Sequence, residues 1–313
     1  MMMKMPGAQI IVETLISQGV TTVFGYPGGQ VLNIYDELYK ASDRIRHVIT
    51  AHEQGAAHAA DGYARSTGKV GVVIATSGPG ASNLVTGIAT AYLDSTPMVA
   101  ITGNVPLPLI GRDSFQEVDI AGITMPITKH NYIVKDVKVL EDTIREAFQI
   151  AKSGRPGPVL IDVPKDVQIA LCDYVQGGEV APDPFQSPTQ EELVQAAKMV
   201  AESKRPFLYS GGGIVSADAS KELLSFADRI DAPIGTSMMG LSAVASSYPG
   251  FLGMTGMHGR YAASKAMAEA DLIIAVGTRF SDRATGNKDE FAKKAQVLHI
   301  DIDPAEIGKN IPA

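Results

Sequence analysis

The feature that most constrains the fold is a repeated unit in which a short apolar segment runs into a turn and then into a helical pattern. The clearest copy is the apolar run Gly71–Ala75, followed by Thr76-Ser77-Gly78-Pro79-Gly80 and by a helix of small residues that extends to about Tyr92. Continuous apolar runs of this length are typical of strands that are buried on both faces. Their alternation with helices predicts an α/β fold whose parallel sheets are covered by helices.

This pattern occurs in two blocks. Residues 1–175 form the first, with further strands predicted at 22–24, 47–50, 98–102 and 159–163 and helices that start near Ala8, Glu53 and Leu140. Residues 176–188 are rich in proline, glycine and acidic residues and are predicted to form a linker. Residues 189–313 form the second block, in which Thr189 and Glu192 have the spacing of a capping box. Strands at 206–209, 272–276 and 297–300 and a helix at 217–230 follow.

Charge and composition exclude several classes of protein. The chain has 34 acidic against 27 basic residues, a formal charge of −7, and no basic cluster, so we expect no nucleic-acid partner. Its apolar runs are too short to span a bilayer, and residues 1–5 do not resemble a signal peptide, so we expect no membrane partner. A single cysteine, Cys172, forms no intramolecular disulfide and suits a reducing compartment. These observations predict a cytoplasmic protein.

Glu53 is the first candidate for chemistry. It follows an apolar strand at the start of a predicted helix, which is the carboxyl end of the strand, where ligands bind in open α/β sheets. A carboxylate at this position also complements the helix dipole, and the residues alone leave both explanations open. Zinc-protease helices place two histidines four positions apart, a spacing that His52 and His58 do not have.

Two glycine-rich turns are further candidates. The loop at residues 77–80 is suited to cradle an anion with its backbone N–H groups, although it lacks the lysine of a P-loop. Glycines at residues 25–29 permit close approach of the backbone to a ligand. Taken alone, the first segment is better explained by a tight strand-to-helix turn, and a hairpin-like turn is enough to explain the second.

Taken together, these segments resemble the pyrimidine-binding domain of thiamine-diphosphate enzymes. The matching stretches are Gly25-Tyr26-Pro27-Gly28-Gly29, His52-Glu53-Gln54-Gly55-Ala56-Ala57, Ala60-Asp61-Gly62-Tyr63-Ala64-Arg65 and Thr76-Ser77-Gly78-Pro79-Gly80. Other stretches narrow the resemblance to the large subunits of acetolactate (acetohydroxyacid) synthase, namely residues 113–117, 127–132, 154–159, 162–166, 253–259, 279–283 and 301–310. The resemblance runs along essentially the whole chain.

This resemblance implies a domain order and a reaction. Residues 1–175 correspond to the pyrimidine-binding domain, and residues 189–313 to a central FAD-binding-like domain that is incomplete at its C-terminal end. The implied reaction decarboxylates pyruvate on thiamine diphosphate and joins the two-carbon unit to pyruvate or 2-ketobutyrate, the first step of branched-chain amino-acid biosynthesis. The family binds the diphosphate through Mg²⁺ in a third domain with a Gly-Asp-Gly sequence. No such sequence occurs here, so we expect that domain to be absent and the chain to be inactive alone.

The resemblance also assigns roles to residues. In the family, the glutamate at the Glu53 position hydrogen-bonds the pyrimidine ring. The family's catalytic positions are matched in this sequence by Glu53, Gly28, Gly29, Gln116 and Lys165. Positions that bind the acceptor keto acid are matched by Phe115 and Arg283. Positions that bind thiamine diphosphate or FAD are matched by Glu53, Pro79, Arg155, Gly211, Gly212, Met257, His258, Gly259, Gly277, Arg279, Asp282, Arg283, Asp301 and Ile302. No metal ligand is assigned within the chain.

Some alternatives stay open. From the residues alone, Lys165 is also explained as a surface lysine that closes a strand, and Arg283 as the ion-pair partner of Asp282. A different thiamine-diphosphate enzyme, such as a pyruvate oxidase, and a non-catalytic nucleotide-binding module are the competing functions. The family further implies a homodimer or higher homo-oligomer and a possible small regulatory subunit. Ser281 and Leu107-Pro108-Leu109 depart from residues that are common among relatives.

Overall fold

The computed structural model describes residues 3–288 and 291–313 and divides into two compact units, with the boundary between Pro184 and Phe185. Both units are α/β. Within the described residues, no helix is long and apolar enough to cross a membrane.

In residues 3–184, the first unit contains eight strands and eight α-helices. Its strands are β1 Met3–Pro6, β2 Thr22–Tyr26, β3 Arg46–Ile49, β4 Gly71–Ala75, β5 Met98–Asn104, β6 His130–Ile133, β7 Pro158–Pro164 and β8 Leu171–Tyr174. Its helices are α1 Gly7–Ser17, α2 Leu32–Lys40, α3 Glu53–Thr67, α4 Pro79–Asn83, α5 Val85–Leu93, α6 Ile120–Thr124, α7 Leu140–Lys152 and α8 Lys165–Ile169. Six strands form one parallel sheet in the order β3-β2-β4-β5-β7-β6, while β1 and β8 pair antiparallel.

The core of this unit lies on both faces of the sheet. Every residue of β4, β5 and β7 is buried, as the continuous apolar runs predict. Side chains of α1 and α7 pack into one hydrophobic cluster, and small side chains of α3 and α5 pack into a second. Gly19 and Gly68 end α1 and α3 with φ of 76° and 72°, a left-handed conformation that glycine adopts without a Cβ penalty.

The second unit repeats this architecture. Its helices are α9 Gln190–Glu202, α10 Gly212–Ser216, α11 Ser220–Ile230, α12 Tyr261–Glu269 and α13 Asp282–Thr285, and its strands are β9 Pro206–Ser210, β10 Ile234–Thr236, β11 Phe251–Met254, β12 Leu272–Val276 and β13 Gln296–Ile300. The strands form a parallel sheet in the order β11-β10-β9-β12-β13. The predicted capping box is confirmed, since the Thr189 and Glu192 side chains bond reciprocally to the backbone at the start of α9.

Strand order defines one crevice in each unit. In the first sheet the chain runs from β2 outward to β3 and then returns to the other side of β2 to form β4. In the second it runs from β9 to β10 and β11, and then returns to form β12 and β13. Such reversals leave an opening at the carboxyl ends of the two strands concerned, where ligands of open α/β sheets bind. The crevices therefore lie after β2 and β4, and after β9 and β12.

The prediction of parallel, helix-covered sheets is confirmed, but several elements differ from the expectation. The helix predicted after Gly80 breaks at Leu84 into α4 and α5, and the one predicted over 217–230 begins only at Ser220, because Asp218 has a φ of 51°. The hairpin-like alternative for residues 25–29 is wrong, since β2 lies parallel to both neighbouring strands. Residues 304–309 form a series of turns after β13.

Candidate functional site

Glu53 is the first residue of α3 and lies beside the crevice of the first unit. The preceding His52 caps the helix, because its Nδ1 accepts the backbone N–H of Gln54 at 3.1 Å. The Glu53 carboxylate does not bond to its own helix; Oε2 accepts the side-chain amide of Asn83 with 3.0 Å between the heavy atoms. Among the described residues, Oε1 has no hydrogen-bond donor. One oxygen of a fixed, half-buried carboxylate is therefore open to a ligand.

Thr76 joins the two glycine turns that line this crevice. A Cβ at Gly28 would lie 2.5 Å from Thr76 Cγ2, and a Cβ at Gly80 would lie 2.7 Å from the same methyl group. The Thr76 hydroxyl accepts the backbone N–H of Gln30 at 3.1 Å. Only residues without a side chain fit at positions 28 and 80, because the Thr76 methyl group occupies that space.

Gly29 and Lys165 meet on the other side of the same turn. No atom lies within 4 Å of the position that a Cβ at Gly29 would take, so the backbone there borders open space. Lys165 begins α8 immediately after β7, and its Nζ donates to the Gly29 carbonyl at 3.2 Å. The surface-lysine explanation is therefore incomplete, since this ammonium group is held against the glycine turn.

Gln116 packs against the second turn. Gly78 has a φ of 59°, and a Cβ there would lie 2.6 Å from the Gln116 carbonyl oxygen. Gln116 itself has a φ of 58°, which is uncommon for a residue with a side chain. Its neighbour Phe115 is 84% exposed, an unusual position for a large aromatic side chain. Pro79 is the first residue of α4, between Gly78 and Gly80.

In the second unit, glycines close the ends of the two strands at the crevice. The Gly211 N–H donates to the Val276 carbonyl at 2.9 Å, and the Gly213 N–H donates to the Gly277 carbonyl at 3.0 Å. A Cβ at Gly211 would lie 2.0 Å from the Gly277 oxygen, so the two turns touch through backbone alone. Gly277 has a φ of 57°. Gly212 faces the Met239 side chain, whose Cβ lies 3.0 Å from the Cβ position at Gly212.

Asp301 follows β13 at the same edge of this sheet. Its Oδ1 accepts the Asp303 N–H at 3.0 Å, and its Oδ2 lies 4.0 Å from Nε2 of His299. Burial raises the pKa of Asp301 above its ordinary value. His299 is almost fully buried, and its Nε2 lies 2.8 Å from the Thr278 carbonyl oxygen. A partly buried acid with one weakly engaged oxygen is suited to accept hydroxyl donors of a ligand.

A second turn of this unit joins Met257 to Arg283. The Met257 N–H donates to the Arg283 carbonyl at 2.9 Å, and Arg283 Nη1 lies 3.7 Å from Met257 Sδ. Arg283 Nε is 3.9 Å from Asp282 Oδ2, and both side chains are largely exposed, so this ion pair contributes little. A Cβ at Gly259 would lie 2.4 Å from the Met254 carbonyl oxygen.

Several predicted site residues are exposed to solvent or form contacts with residues outside the predicted site. The side chains of Met257, His258, Asp282 and Ile302 are exposed. The Arg279 carbonyl accepts the Asn310 side-chain amide at 2.9 Å. Arg155 belongs to the first unit, where its Nε donates to the Ser95 hydroxyl at 2.7 Å. In the described part of the chain, no three His, Cys, Asp or Glu side chains lie close enough to hold a metal ion.

Two residues with clear structural roles received no assignment from the sequence. Thr76 lay inside a quoted motif, and its position between two glycine turns is visible only once β2 and β4 are paired. Asn83 is distant from Glu53 along the chain, and no local pattern indicates that its amide reaches the carboxylate.

Comparison with known proteins agrees with this geometry. Residues 5–123 match the family model for the thiamine pyrophosphate enzyme N-terminal TPP binding domain, and residues 193–313 match that for the central domain. The chain is 51% identical over 317 residues to an acetolactate synthase of Arthrospira platensis, covering 98% of this chain and 55% of that protein. It is 52% identical over 309 residues to an acetolactate synthase large subunit of Corynebacterium glutamicum, covering 98% and 49% respectively.

A probable acetolactate synthase large subunit of Methanocaldococcus jannaschii is 51% identical over 315 residues, which cover 99% of this chain and 53% of that protein. The chain thus spans about half the length of the curated relatives that it matches. The glycine turns and the carboxylate of the first unit and the glycine crevice of the second occur within the two matched regions. The chain belongs to the thiamine pyrophosphate enzymes, with an N-terminal and a central domain of that family.

Proposed function

We propose that this chain provides the pyrimidine-binding part of the active site of an acetolactate synthase. The names of its relatives support the activity, and the setting of Glu53 supports the site. The observation that carries the proposal is the carboxylate of Glu53, held by Asn83 through one oxygen while the other has no donor among the described residues.

We propose that the crevice of the first unit accepts a flat heteroaromatic ring. The Cβ position of Gly80 is 3.3 Å from Glu53 Oε1, so the absent side chain leaves space beside the carboxylate. Gly29 borders further open space on the neighbouring turn. Glu53, Pro79 and Gly80 would hold the pyrimidine ring of thiamine diphosphate, with Glu53 accepting or sharing a proton at a ring nitrogen.

When bound, thiamine diphosphate supplies a carbon nucleophile and accepts the electron pair that pyruvate releases on losing carbon dioxide. Glu53 controls the position of one proton on the ring, a task for which a fixed carboxylate is suited. Gly28 and Gly29 keep side chains away from the reacting atoms. The overall reaction converts two molecules of pyruvate into 2-acetolactate and carbon dioxide, or pyruvate and 2-ketobutyrate into 2-aceto-2-hydroxybutyrate and carbon dioxide. These products lead to the branched-chain amino acids valine and isoleucine.

Polar and charged residues are proposed to recognise the keto acids. The Lys165 ammonium group, held against the Gly29 carbonyl, offers its remaining N–H groups to a carboxylate. Gln116 and the exposed ring of Phe115 would line the acceptor pocket. Arg283 is proposed to pair with the acceptor carboxylate, because a guanidinium group binds carboxylates through two parallel hydrogen bonds.

The second unit is proposed to bind FAD. Its crevice has a backbone-only contact between Gly211 and Gly277, which lets a diphosphate approach closely. The nucleotide would be surrounded by Gly212, Met257, His258, Gly259, Arg279 and Asp282, and its ribose or adenine would contact Asp301 and Ile302. No hydride transfer is proposed for the main reaction.

Further parts of the enzyme are proposed to lie outside these residues. The diphosphate and Mg²⁺ would be held by a third domain, contributed by a partner subunit in a homodimer or higher oligomer. A small regulatory subunit and a cytoplasmic location are part of the same proposal. The chain by itself is expected to form no acetolactate.

The proposal is tested by assaying acetolactate formation from pyruvate with thiamine diphosphate, Mg²⁺ and FAD. The chain as it stands is compared with a version extended by the diphosphate-binding domain of the Corynebacterium glutamicum relative. Acetolactate from the extended version alone supports the proposal. Reduction of an electron-accepting dye by pyruvate without acetolactate would instead indicate a pyruvate oxidase. FAD binding without either reaction would indicate a nucleotide-binding module.

A further inference from the structure

The loop that connects β5 to α6 carries Phe115 and Gln116 and has little regular structure. Residues 105–119 contain only one short 3-10 turn, Leu107–Leu109. Gly111, Asp113 and Gln116 have φ of 75°, 52° and 58°, so three of its residues have left-handed backbone conformations. Two of these three have side chains, for which this conformation is unfavourable. Interactions from outside the local backbone must therefore hold this shape.

Apolar packing holds the two ends of the loop, where Leu107 and Val118 pack against the hydrophobic clusters of the unit, but not its tip. Phe115 is 84% exposed and Leu109 is 45% exposed, and both side chains would normally be buried if they anchored the loop. Hydrogen bonds to carboxylates are the main visible restraint. At the start of the loop, the Leu107 N–H donates to both oxygens of Asp166 at 3.2 Å.

Glu117 restrains the tip of the loop. Its carboxylate accepts the backbone N–H groups of Gly111, Arg112 and Ser114, the last two at 3.3 and 3.1 Å. Hydrogen bonds from backbone N–H groups, of which that of Gly111 contributes most, lower the pKa of the Glu117 carboxyl. The Ser114 hydroxyl adds a bond to the Leu109 carbonyl at 2.9 Å. One carboxylate therefore gathers three backbone donors that would otherwise have no partner within the loop.

The restrained loop lies against the candidate site. Gln116 immediately precedes Glu117, and its carbonyl oxygen packs on Gly78 at the turn that leads to Gly80 and Glu53. A shift of the loop would therefore move Gln116 away from Gly78 and change where Phe115 projects. The Glu117 side chain affects Gln116 and Phe115 only by binding the backbone of the loop that carries them.

We propose that Glu117 is a positioning residue, which fixes residues 111–116 so that Gln116 and Phe115 form one wall of the acceptor keto-acid site. The role of that wall rests on the proposed function, whereas the restraint on the loop does not. Glu117 contacts no reacting atom in this proposal. It acts by keeping the loop in one conformation before the acceptor binds, which reduces the ordering that binding would otherwise require.

Hydrogen exchange of the chain as it stands tests the restraint. Glu117→Gln keeps the size of the side chain but places an amide N–H₂ where N–H donors point, and Glu117→Ala removes all three bonds. We expect protection of the Gly111, Arg112 and Ser114 amides to fall by about tenfold or more, as for loss of charge-assisted hydrogen bonds. Protection in β4 and β5 should stay unchanged, which shows that the variants fold. Glu192→Gln is the matched control, because Glu192 also binds a backbone N–H through its carboxylate, at the start of α9.

Steady-state kinetics of the extended version test the functional part. We expect Glu117→Gln to raise KM for 2-ketobutyrate by about tenfold while kcat changes little, since binding of the acceptor now has to order the loop. Unchanged protection at residues 111–114 would overturn the restraint. Reduced protection of these amides together with an unchanged KM for 2-ketobutyrate would overturn the positioning role. Failure of the unmodified extended version to form acetolactate would count against the proposed function and leave the exchange result intact.

Discussion

The carboxylate of Glu53 and the side-chain amide of Asn83 are joined by a hydrogen bond, with 3.0 Å between Oε2 and Nδ2. The two residues belong to different helices, α3 and α4, which follow strands on opposite sides of β2. The bond therefore ties together the two helices that border the crevice and fixes the direction of the carboxylate. A helix-dipole role alone does not explain an oxygen that bonds to another helix.

Loss of the Asn83 amide should weaken cofactor binding. Asn83→Ala leaves Glu53 without its fixed donor, so the carboxylate gains rotational freedom and binds the pyrimidine less tightly. We expect the Kd for thiamine diphosphate with Mg²⁺, measured by calorimetry on the extended version, to rise by about tenfold. Ser82→Ala is the control, because the Ser82 hydroxyl donates to the Pro79 carbonyl of its own helix, at 3.2 Å. Equal affinities for the two variants would contradict the positioning of Glu53 by Asn83.

Substitution by alanine should affect stability differently at the adjacent residues Gly28 and Gly29. Gly28→Ala places its Cβ 2.5 Å from Thr76 Cγ2, whereas Gly29→Ala meets no atom within 4 Å. We expect the first variant to lower the free energy of unfolding by about 1–3 kcal/mol, the usual cost of overpacking, and the second to change it little. Urea denaturation of both variants gives the comparison. Loss of acetolactate formation in the extended version with Gly29→Ala would show that a ligand needs the open space beside Gly29.

Asp162 should make stability depend on pH. It is buried, accepts Thr102 Oγ1 and Asn104 Nδ2 at 2.7 and 2.5 Å, and burial raises its pKa from 3.8 to about 6. Between pH 3.8 and about pH 6, Asp162 keeps its proton in the folded chain but has lost it in the unfolded chain. Asp162 therefore stabilises the folded state less as the pH rises. Across this interval the free energy of unfolding should fall by on the order of 3 kcal/mol.

Urea denaturation across this pH range isolates the effect of Asp162. Asp162→Asn should remove the corresponding slope, even though the amide loses one of the two hydrogen bonds. Glu192→Gln should change the pH dependence only below 4.5, the ordinary pKa of a glutamate, because hydrogen bonds from Thr189 lower the pKa of Glu192 and its contribution is lost as pH falls. Identical pH profiles for wild type and Asp162→Asn would show that the raised pKa is wrong.

A substitution at Gly211 should abolish FAD binding. Gly211→Ala places its Cβ 2.0 Å from the Gly277 carbonyl oxygen and forces apart the turns that follow β9 and β12. Gly250→Ala meets only the ring of Tyr248, the far end of a side chain, and Gly250 lies outside the residues proposed to bind FAD. Flavin fluorescence titration should therefore show no binding for the first variant and near-normal binding for the second. Normal affinity in Gly211→Ala would place the flavin elsewhere.

The sequence predicted the repeating α/β pattern well because the central strands are apolar throughout. Strand β12 and the start of α3 were predicted at their observed positions. Short or half-buried elements were missed, among them α2 and β6, since their apolar residues are few or mixed with polar ones. Breaks within helices also escaped prediction: Leu84 carries no turn signal, and Asp218, a residue type that tolerates the left-handed conformation, was assigned to a helix.

For the candidate site, the motif residues were predicted but their supporting partners were not. The contacts of Thr76 with Gly28 and Gly80, and that of Asn83 with Glu53, depend on strand order and helix placement. Motif resemblance identifies residues that face a ligand more readily than residues that hold them. Glu117 lies inside a recognised motif, yet its three backbone donors become visible only when the loop is folded.

Acetolactate formation by the extended version with Glu53 or with Glu53→Gln, at saturating thiamine diphosphate, Mg²⁺ and FAD, tests whether Glu53 controls the cofactor's proton. The amide keeps the size of the side chain but does not exchange a proton with the ring. We predict a loss in kcat of about 10²-fold or more, as expected for removal of an acid–base group, with Glu192→Gln unaffected. Wild-type activity in Glu53→Gln would contradict the assignment of Glu53 as the residue that controls the cofactor's proton.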